Sequence, residues 1–468
     1  MNLIKNALRS RPAAVRFNDY PDAFIPELWA NESIAILIEN MVMGNLVYRD
    51  FSMQVASFGD TVNTRKPGEF KAKRKSAADS VTVQDNTATN VPVVLNQHLH
   101  TSFIIKDADQ SKSFKDLVVE YLSPAMLSIA REVDLILGNQ VYQFIGNGAG
   151  HLSGLDSNNA EDYMLDTREV LNTNKAYERG RSLVLTTKSE TQLLKNSAFT
   201  AANQVGDDGT ALREASLGRK FGFDIFMAQN QPYVASGAST TAGAINMAGG
   251  AAAGATSLTV DSFSAAIANG TWLTVAGDDT PLRVTGTTGG ATPTAITVDR
   301  GLTTAVADNA VVTLYDPGAV NNTGGYAIGY DKEITVSGFS AAPKVGQLVT
   351  FGTAAGSAVY GIIDVNGTTG ITLDRPLEAA LSDSDAVNIG PPGNYNFAFH
   401  RNAIAMVSRP LALPMPGTGA RAGSANYENI TMRVVITYDG NKQGHLVTCD
   451  LLMGVKVLDA KLGAVMYG

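Results

Sequence analysis

Histidine and aspartate are the residue types in this chain that could bind a metal or transfer a proton. His98 and His100 lie two positions apart, so they share one face if that stretch is a strand. Such a pair is half of a zinc-type ligand set, but no third ligand is clustered with it. The spacing is more typical of two exposed strand histidines. His151, His400 and His445 stand alone in the sequence and indicate no catalytic group.

Two aspartates recur in nearly the same sequence, Asp299 in ITVDRGL and Asp374 in ITLDRPL. They could form a ligand pair. The favoured interpretation is a turn acid whose carboxylate caps backbone amides and pairs with the following Arg300 or Arg375. Cys449 lies in an apolar, strand-like stretch and is expected to be a small buried hydrophobic residue.

Motifs that would indicate an enzyme are missing from the sequence. It contains no GxxxxGK[ST] phosphate loop, no HExxH, no GxSxG and no CxxC. The sequence therefore predicts no catalytic, metal or cofactor site, and a protein that is not an enzyme.

Positive charge is concentrated in two segments. The first 17 residues carry four cations and no acid, and they are Lys5, Arg9, Arg11 and Arg16. This start could be a transit peptide, but we favour a mobile basic arm that meets an acidic partner. The second segment carries Arg65, Lys66, Lys71, Lys73, Arg74 and Lys75, offset by Glu69. It has one aromatic residue, Phe70, and no stacking platform for bases, which favours docking on an acidic neighbour over nucleic-acid binding.

The composition limits the class of protein. A chain of 468 residues is long enough for about three domains. A net charge of −8 with 17% charged residues excludes a general polyanion binder. A single cysteine excludes an internal disulfide framework and fits a reducing cytoplasm. No apolar run approaches the roughly 18 residues of a membrane span.

The hydrophobic pattern predicts helices before strands. A helix is expected over residues 25–50, ending near Gly44 and Asn45, and extended chain over 51–105. From Phe114 an apolar stripe at helical spacing continues for some thirty residues, or about 45 Å. Pro124 interrupts it, so either the helix kinks there or Ser123 caps a second helix.

A smaller α/β segment follows the long helix. Helices are expected at 163–174 and 189–195, and strands at 183–187 and 222–228. Residues 235–256 are rich in Gly, Ala, Ser and Thr and are typical of a linker. The chain from Tyr395 onward is apolar and strand-like, so residues 235–393 are expected to be an insertion into a domain that resumes afterward.

The two similar heptads belong to a tandem duplication of about 60 residues. Matching blocks recur in one order at nearly one offset, for example LTVDSF at Leu258 and ITVSGF at Ile334. The repeats span about 257–317 and 331–392, and each offers five short strands, enough to close a small barrel. Both repeats carry more acids than bases. We expect the acids to face outward, and the basic segments to face neighbours or packaged nucleic acid.

The sequence outside the repeats resembles the major capsid (coat) proteins of tailed phages, with the Hong Kong 97-type fold. The nearest likeness is to short-tailed-phage coat proteins that carry an inserted β-barrel. The stretches that carry the resemblance are Ile25–Trp29, ENMVMGNLVYRDF (39–51), Gly59–Asn63, QHLHTSFIIKDAD (97–109), ERGRSLVLT (178–186), LREASLGRKFGFDIFMAQNQP (212–232), FAFHRNAIAMVSRPLALP (397–414) and MRVVITYDGNKQGHLVTCDLLMGVKVL (432–458).

The resemblance implies an α+β subunit with N-arm, E-loop, spine helix, and peripheral and axial domains. The implied divisions are arm and first helix (1–50), E-loop (51–112), spine helix (113–150), axial and peripheral core (151–235 and 394–468), and two barrels (236–318 and 319–393). Arg65, Lys66, Lys71, Lys73 and Arg74 would then be E-loop contacts to an adjacent subunit. The second barrel departs from relatives that carry one inserted barrel.

The implied function is self-assembly into an icosahedral shell around a double-stranded DNA genome, in the host cytoplasm. The implied partners are copies of this chain in hexamers and pentamers, a scaffolding protein, a portal, a decoration protein and packaged DNA held without sequence preference, with no membrane. Two alternatives remain. One is an encapsulin-like nanocompartment, which would hold an enzyme cargo; the other is a tail or adhesion protein built on the repeats.

Overall fold

The computed structural model describes residues 25–51, 59–66, 72–75, 83, 89–107, 114–152, 154–201, 214–234, 239–315, 317–353, 357–415 and 417–468. Within these ranges the chain combines helices, three open sheets and two closed six-stranded barrels. The predicted arm residues Lys5, Arg9, Arg11 and Arg16 lie outside the described residues, as does Lys71.

The regular elements follow one another in a helix-rich first part and a strand-rich second part. The helices are α1 (Pro26–Asn40), α2 (Met43–Leu46), α3 (Phe114–Leu117), α4 (Ser123–Asn139), α5 (Ala160–Thr173), α6 (Thr187–Lys195) and α7 (Ser197–Thr200). Single-turn or irregular helical segments are Val118–Leu122 (π), Gln140–Asn147, Arg401–Ala403 and Ala460–Leu462 (3₁₀).

The strands before the barrels are β1 (Thr61–Lys66), β2 (Thr89–Val94), β3 (Gln97–Lys106), β4 (Gly148–Ala149), β5 (Arg181–Leu185), β6 (Arg219–Lys220), β7 (Phe223–Met227) and β8 (Tyr233–Val234). The first barrel contains β9 (Ser239–Ile245), β10 (Ser257–Asp261), β11 (Trp272–Val275), β12 (Leu282–Thr288), β13 (Ala295–Val298) and β14 (Val311–Tyr315). The second contains β15 (Gly318–Val320), β16 (Ile334–Ser337), β17 (Leu348–Phe351), β18 (Val359–Asn366), β19 (Gly370–Leu373) and β20 (Ala386–Ile389). The last strands are β21 (Gly393–His400), β22 (Ile404–Arg409), β23 (Arg421–Tyr427), β24 (Ile430–Asp439), β25 (Gly444–Val457) and β26 (Gly463–Tyr467).

The helix predicted over residues 25–50 is two helices, α1 and α2, rather than one. Pro26 occupies the first turn of α1, where its missing N–H leaves no bond unmade. The helix stops at Asn40 because Met41 is extended, and Val42 and Gly44 then donate their backbone N–H groups to the Asp134 carboxylate. Gly44 therefore lies inside α2 and does not end the first helix.

The long helical stripe is confirmed as one path from α3 through α4 and the 3₁₀ segment. Ser123 is itself the first residue of α4, so its side chain is not the N-cap of a second helix. Its N–H instead bonds to the carbonyl of Val118, five residues back, so a π-turn directly precedes Pro124. In a regular helix the ring of Pro124 would clash with the backbone carbonyl four residues earlier, and the wider π-turn makes room for the ring.

A five-stranded antiparallel sheet packs against this helix. β25 pairs with β3 along one edge. Along its other edge, its first half pairs with β24 and its second half pairs with β22. Its apolar face, including Val447, Cys449 and Leu451, joins one cluster with side chains of α1 and α4. Cys449 is therefore buried, as predicted, and burial raises the pKa of its thiol to about 12.

A seven-stranded mixed sheet forms the centre of the α/β segment, in the order β4-β26-β21-β5-β7-β6, with β8 also paired to β21. All five residues of β5 are buried, because both faces of the sheet are covered. Leu183 and Leu185 face the cluster of α5 and α6, whereas Val184 belongs to the cluster of Phe144 and Phe397. The helices and strands predicted in this segment exist, with ends shifted by a few residues.

Both repeats close into barrels, as predicted, but each has six strands where the pattern indicated five. The strand order is the same in both, β10-β13-β12-β11-β14-β9 and β16-β19-β18-β17-β20-β15. The prediction that residues 235–256 form a linker is wrong, because β9 lies within them and pairs with β10 and β14. In the second barrel the added strand is β15, between the expected repeats.

The two barrels also repeat their close contacts. A Cβ added to Gly243 would lie 2.5 Å from the ring of Phe263, and one added to Gly318 would lie 2.4 Å from the ring of Phe339. The register of β12 with β13 shifts between Val284 and Gly286, and β18 shifts at the equivalent place. A duplicated unit has therefore kept its packing as well as its strand order.

Candidate functional site

The hairpin of β1 and β2 is attached to the rest of the subunit at its base. Gly59 N–H donates to the Leu95 carbonyl at 2.7 Å, and Leu95 N–H donates to the Asp60 carbonyl at 2.8 Å. Val93 and Leu95 are fully buried, in a small cluster with Val407 and two other residues of β22 and β25. The base of the hairpin is thus fixed on the five-stranded sheet.

Beyond its base the hairpin is a two-stranded ladder. Thr61 pairs with Val94 at the base, and Lys66 pairs with Thr89 at the far end. Among the described residues neither strand has a second neighbour in the ladder. Two-stranded ribbons are marginally stable in water, and open edges pair readily with other chains. This segment therefore has the properties of a surface that is completed by a partner.

The predicted E-loop cations lie toward the far end of the hairpin. Arg65 and Lys66 are the last two positions of β1, paired with Asn90 and Thr89. Lys73 and Arg74 lie in a described stretch without regular structure and are exposed. The structure places Arg65 and Lys66 next to each other in the ladder and leaves Lys73 and Arg74 in solvent. The remaining predicted cations lie outside the described residues.

The 3₁₀ segment after α4 carries both barrels. Gln143 donates its side-chain amide to the Val359 carbonyl of the second barrel at 2.8 Å. Arg300 of the first barrel donates Nη1 to the Ile145 carbonyl at 2.8 Å. Tyr142 bonds to the Gly346 carbonyl through its hydroxyl, and burial raises the pKa of that hydroxyl. We name this segment, residues 140–147, the barrel seat.

The two barrels also contact each other. Trp272 of the first donates its indole N–H to Thr350 Oγ1 of the second at 3.2 Å, and both residues are buried. Arg283 donates Nη2 to Ser357 Oγ at 3.3 Å. The barrels are therefore fixed to the core and to one another by specific polar contacts rather than held on a flexible tether.

The repeated aspartates are turn caps, as predicted. Asp299 Oδ1 accepts the backbone N–H of Arg283 at 2.9 Å, and its other oxygen lies 3.1 Å from Arg300 Nη2. Asp374 is paired with Arg375 at 3.3 Å in a fully buried position. In both barrels the aspartate therefore stabilises the fold through its bonds to neighbouring groups.

The two strand histidines are exposed on one face of β3, as predicted. Their ring centroids are 6.3 Å apart, and His98 Nε2 lies 3.8 Å from Asp450 Oδ1. Within the described part of the chain, no three His, Cys, Asp or Glu side chains are grouped as a metal site. His151 contacts the Asp278 carbonyl at the first barrel, and His400 accepts the N–H of Asn402.

Sequence reasoning missed Asp134, which holds α2 against α4. Its carboxylate accepts the N–H of Val42 at 2.8 Å and of Gly44 at 3.2 Å. Burial outweighs these bonds and raises its pKa to about 6. The signal was present, since Asp134 continues the apolar row of Ala130 and Leu137 on the helix.

In the described ranges, no helix has the length and apolar character needed to cross a membrane.

Comparisons with known proteins give similarity to solved structures alone. No family model matches the chain, and no curated protein matches it. A structure from Mycobacterium phage Che8 is 12% identical with a TM-score of 0.42, covering 91% of this chain and 90% of that one. The capsid structure of cyanophage P-SCSP1u is 10% identical with a TM-score of 0.41, covering 91% and 88%. The mature capsid of bacteriophage PhiM1 is 9% identical with a TM-score of 0.38, covering 91% and 86%.

Proposed function

We propose that this protein is a major capsid protein that assembles into the icosahedral shell of a tailed phage. The observation that carries the proposal is the β1–β2 hairpin, whose base is anchored on the subunit and whose two strands have no other ladder partner among the described residues. A neighbouring subunit that covers the hairpin would supply the contacts that the single chain lacks. The cations at its far end favour an acidic surface as that contact.

The order of the elements supports the same proposal. Hairpin, long helix, mixed sheet, barrel insertion and returning strands follow the order that the capsid resemblance implies. The long helix and the five-stranded sheet would form the peripheral domain, and the seven-stranded sheet the axial domain. We propose that this arrangement is the Hong Kong 97-type fold.

Assembly is then the activity, and no reaction is assigned to the chain. Many weak contacts repeated by symmetry sum to a stable shell, since each subunit meets several copies. We further propose a scaffolding protein, a portal, a decoration protein and packaged DNA as partners, with assembly in the bacterial cytoplasm. The acid-rich barrels would face outward, and the basic arm and hairpin would face neighbours or DNA.

Electron microscopy of the purified full chain tests this proposal. We expect closed shells, polyheads or spirals when it is expressed alone or with the other phage assembly proteins. Monodisperse monomers or trimers under both conditions would overturn it and favour a tail or adhesion protein. Shells that contain a cellular enzyme and package no DNA in infected cells would favour a nanocompartment.

A further inference from the structure

The loop of residues 174–180, between α5 and β5, is rigid although it is exposed. Arg181 is 2% exposed and donates Nε to the Tyr177 carbonyl at 2.7 Å and Nη2 to the Ala176 carbonyl at 2.8 Å. Lys175 and Gly180 have φ values of 57° and 74°, which close the two ends of the loop. A buried guanidinium therefore fixes the shape of the 174–180 loop before any partner arrives, which lowers the entropy lost on binding.

The loop presents an aromatic ring and a cation to solvent. Tyr177 is 64% exposed, and Arg179 is exposed beside it. Within the described structure, no acceptor or carboxylate bonds the Arg179 guanidinium. Tyrosine and arginine are the residue types that most often dominate the binding energy of protein interfaces. The loop thus has the chemistry of an interface anchor.

A pocket with the complementary chemistry opens at the other end of the same strand. It has a volume of about 210 Å3 and lies where β5 and β7 end. Leu185, Leu217, Ile225, Phe226 and Met227 line it together with Glu190 of α6, and polar atoms make up more of its exposed surface than apolar atoms do. The Glu190 carboxylate receives no hydrogen bond or ion pair from the described side chains, and burial raises its pKa.

A half-buried carboxylate beside apolar side chains such as Leu185 and Ile225 fits a long side chain with a cationic end. The stem would cover the apolar wall while its charge reaches the acid. Arginine is favoured because its planar fork binds a carboxylate through two hydrogen bonds.

The loop precedes β5 and the pocket follows it, so the two features lie at opposite ends of one strand. A ring of identical subunits uses head-to-tail contacts, in which one patch meets a different patch on the next copy. We infer that Arg179 on the 174–180 loop of one subunit inserts into the Glu190 pocket of a neighbouring copy. This inference rests on the proposed shell function and names a contact within its rings.

Charge exchange tests the contact in the full chain. Arg179→Glu and Glu190→Arg alone should each lower the yield of assembled particles about tenfold or more, since each leaves a like-charge pair. The double variant should recover most of the yield. Lys195→Glu and Glu169→Arg make the same charge changes at exposed positions of the same domain and should assemble normally. Thermal unfolding of the unassembled chains should show that all variants fold.

A cross-link gives a second readout without charge reversal. In shells of Arg179→Lys, a carbodiimide should join the introduced amine to Glu190 as an amide, found by mass spectrometry between two subunits. A link between subunits from Glu190 to a different lysine, or double-variant particles as few as those of the single variants, would overturn the inference while shells still form. Absence of any shell from the unaltered chain would instead overturn the proposed function.

Discussion

Asp299 and Asp374 occupy the same position in the two barrels, yet their side chains are 30% and 0% exposed. Each donates its own N–H at 2.9 Å to the carbonyl of the equivalent residue, Arg283 or Gly361. The arginines that follow differ more. Arg300 reaches outward to the barrel seat, whereas the guanidinium of its counterpart in the second barrel turns back and lies 4.4 Å from the Tyr360 ring. The duplicated acid–arginine pair has therefore become a seat contact in one barrel and a core contact in the other.

This difference predicts unequal effects of the same substitution. Asp374→Ala removes the buried carboxylate beside Arg375, which keeps an ion pair to the part-exposed Glu378 at 2.9 Å, and should lower the free energy of unfolding by about 3 kcal/mol. Asp299→Ala removes a half-exposed cap and should lower it by about 1 kcal/mol. Chemical denaturation of the unassembled subunit measures both. Equal losses for the two variants would mean that burial of the second pair does not matter energetically.

The barrels show what the sequence could predict and what it could not. Matching blocks predicted two similar closed units, because repeated strands pair in the same order. The strand β9 was hidden because its residues are small and polar, and Ile245 at its end is the one among its described side chains that joins the barrel core. Gly243 must be small, since the Phe263 ring lies against it. The strand must fit against an aromatic ring that is distant in the sequence, and its small residues therefore resemble those of a linker.

The candidate site likewise has features that the sequence could predict and features that it could not. The clustering of the cations is visible in the sequence, because they form a local charge run. The barrel seat could not be predicted, since the contact of Gln143 with Val359 joins residues 216 positions apart. The same holds for the Asp134 cap on Val42 and Gly44. Such contacts depend on how whole elements pack, which a local pattern does not contain.

Equivalent glycines predict where the barrel-to-barrel contact is tight. Gly270 and Gly346 both have positive φ, at 93° and 82°, so alanine at either should cost about 1–2 kcal/mol. A Cβ on Gly270 would also lie 2.8 Å from the Gly352 carbonyl of the second barrel, whereas on Gly346 the nearest atom is 3.7 Å away.

Gly270→Ala should therefore lower the free energy of unfolding by about 1–3 kcal/mol more than Gly346→Ala. Its Trp272 fluorescence should also change, measured with Trp29→Phe in both chains so that one tryptophan reports. Identical spectra and stabilities for the two variants would show that the barrels do not touch through Gly270.

Asp134 predicts a pH dependence of stability. Burial raises its pKa from 3.8 to about 6, so the folded chain holds this proton more tightly than the unfolded chain. Its contribution is complete only below the unfolded-state pKa of 3.8 and is lost as the pH rises through 6. At about 1.4 kcal/mol per pKa unit, this group should make the fold about 2 kcal/mol more stable at pH 4 than at pH 7, relative to a chain without it.

Asp134→Asn is the matched variant, because it removes the titration and keeps the shape. Denaturation of both chains between pH 4 and 7 should show the stability of the unaltered chain falling relative to that of the variant as the pH rises, in proportion to loss of the Asp134 proton. Parallel pH curves would rule out a raised pKa for this carboxylate. Other titrating groups are common to both chains and cancel.

The anchor of the hairpin gives a prediction that separates folding from assembly. Leu95 is fully buried at the hairpin base, and its neighbour Val94 is 40% exposed on β2. Leu95→Ala removes apolar contacts worth about 2–5 kcal/mol from a small local cluster, so the hairpin should open while the remaining core stays folded. Hydrogen exchange should become faster in β1 and β2 and stay slow in β24 and β25. As the hairpin opens, the yield of particles counted by electron microscopy should also fall.

Val94→Ala is the control, because it trims a side chain on the same strand that carries little of the anchor. It should leave both hydrogen exchange and particle yield near those of the unaltered chain. Normal assembly by Leu95→Ala with an open hairpin would separate the hairpin from shell formation and remove the observation on which the proposed function rests. Loss of slow exchange throughout β24 and β25 would instead place Leu95 in the global core and contradict a local anchor.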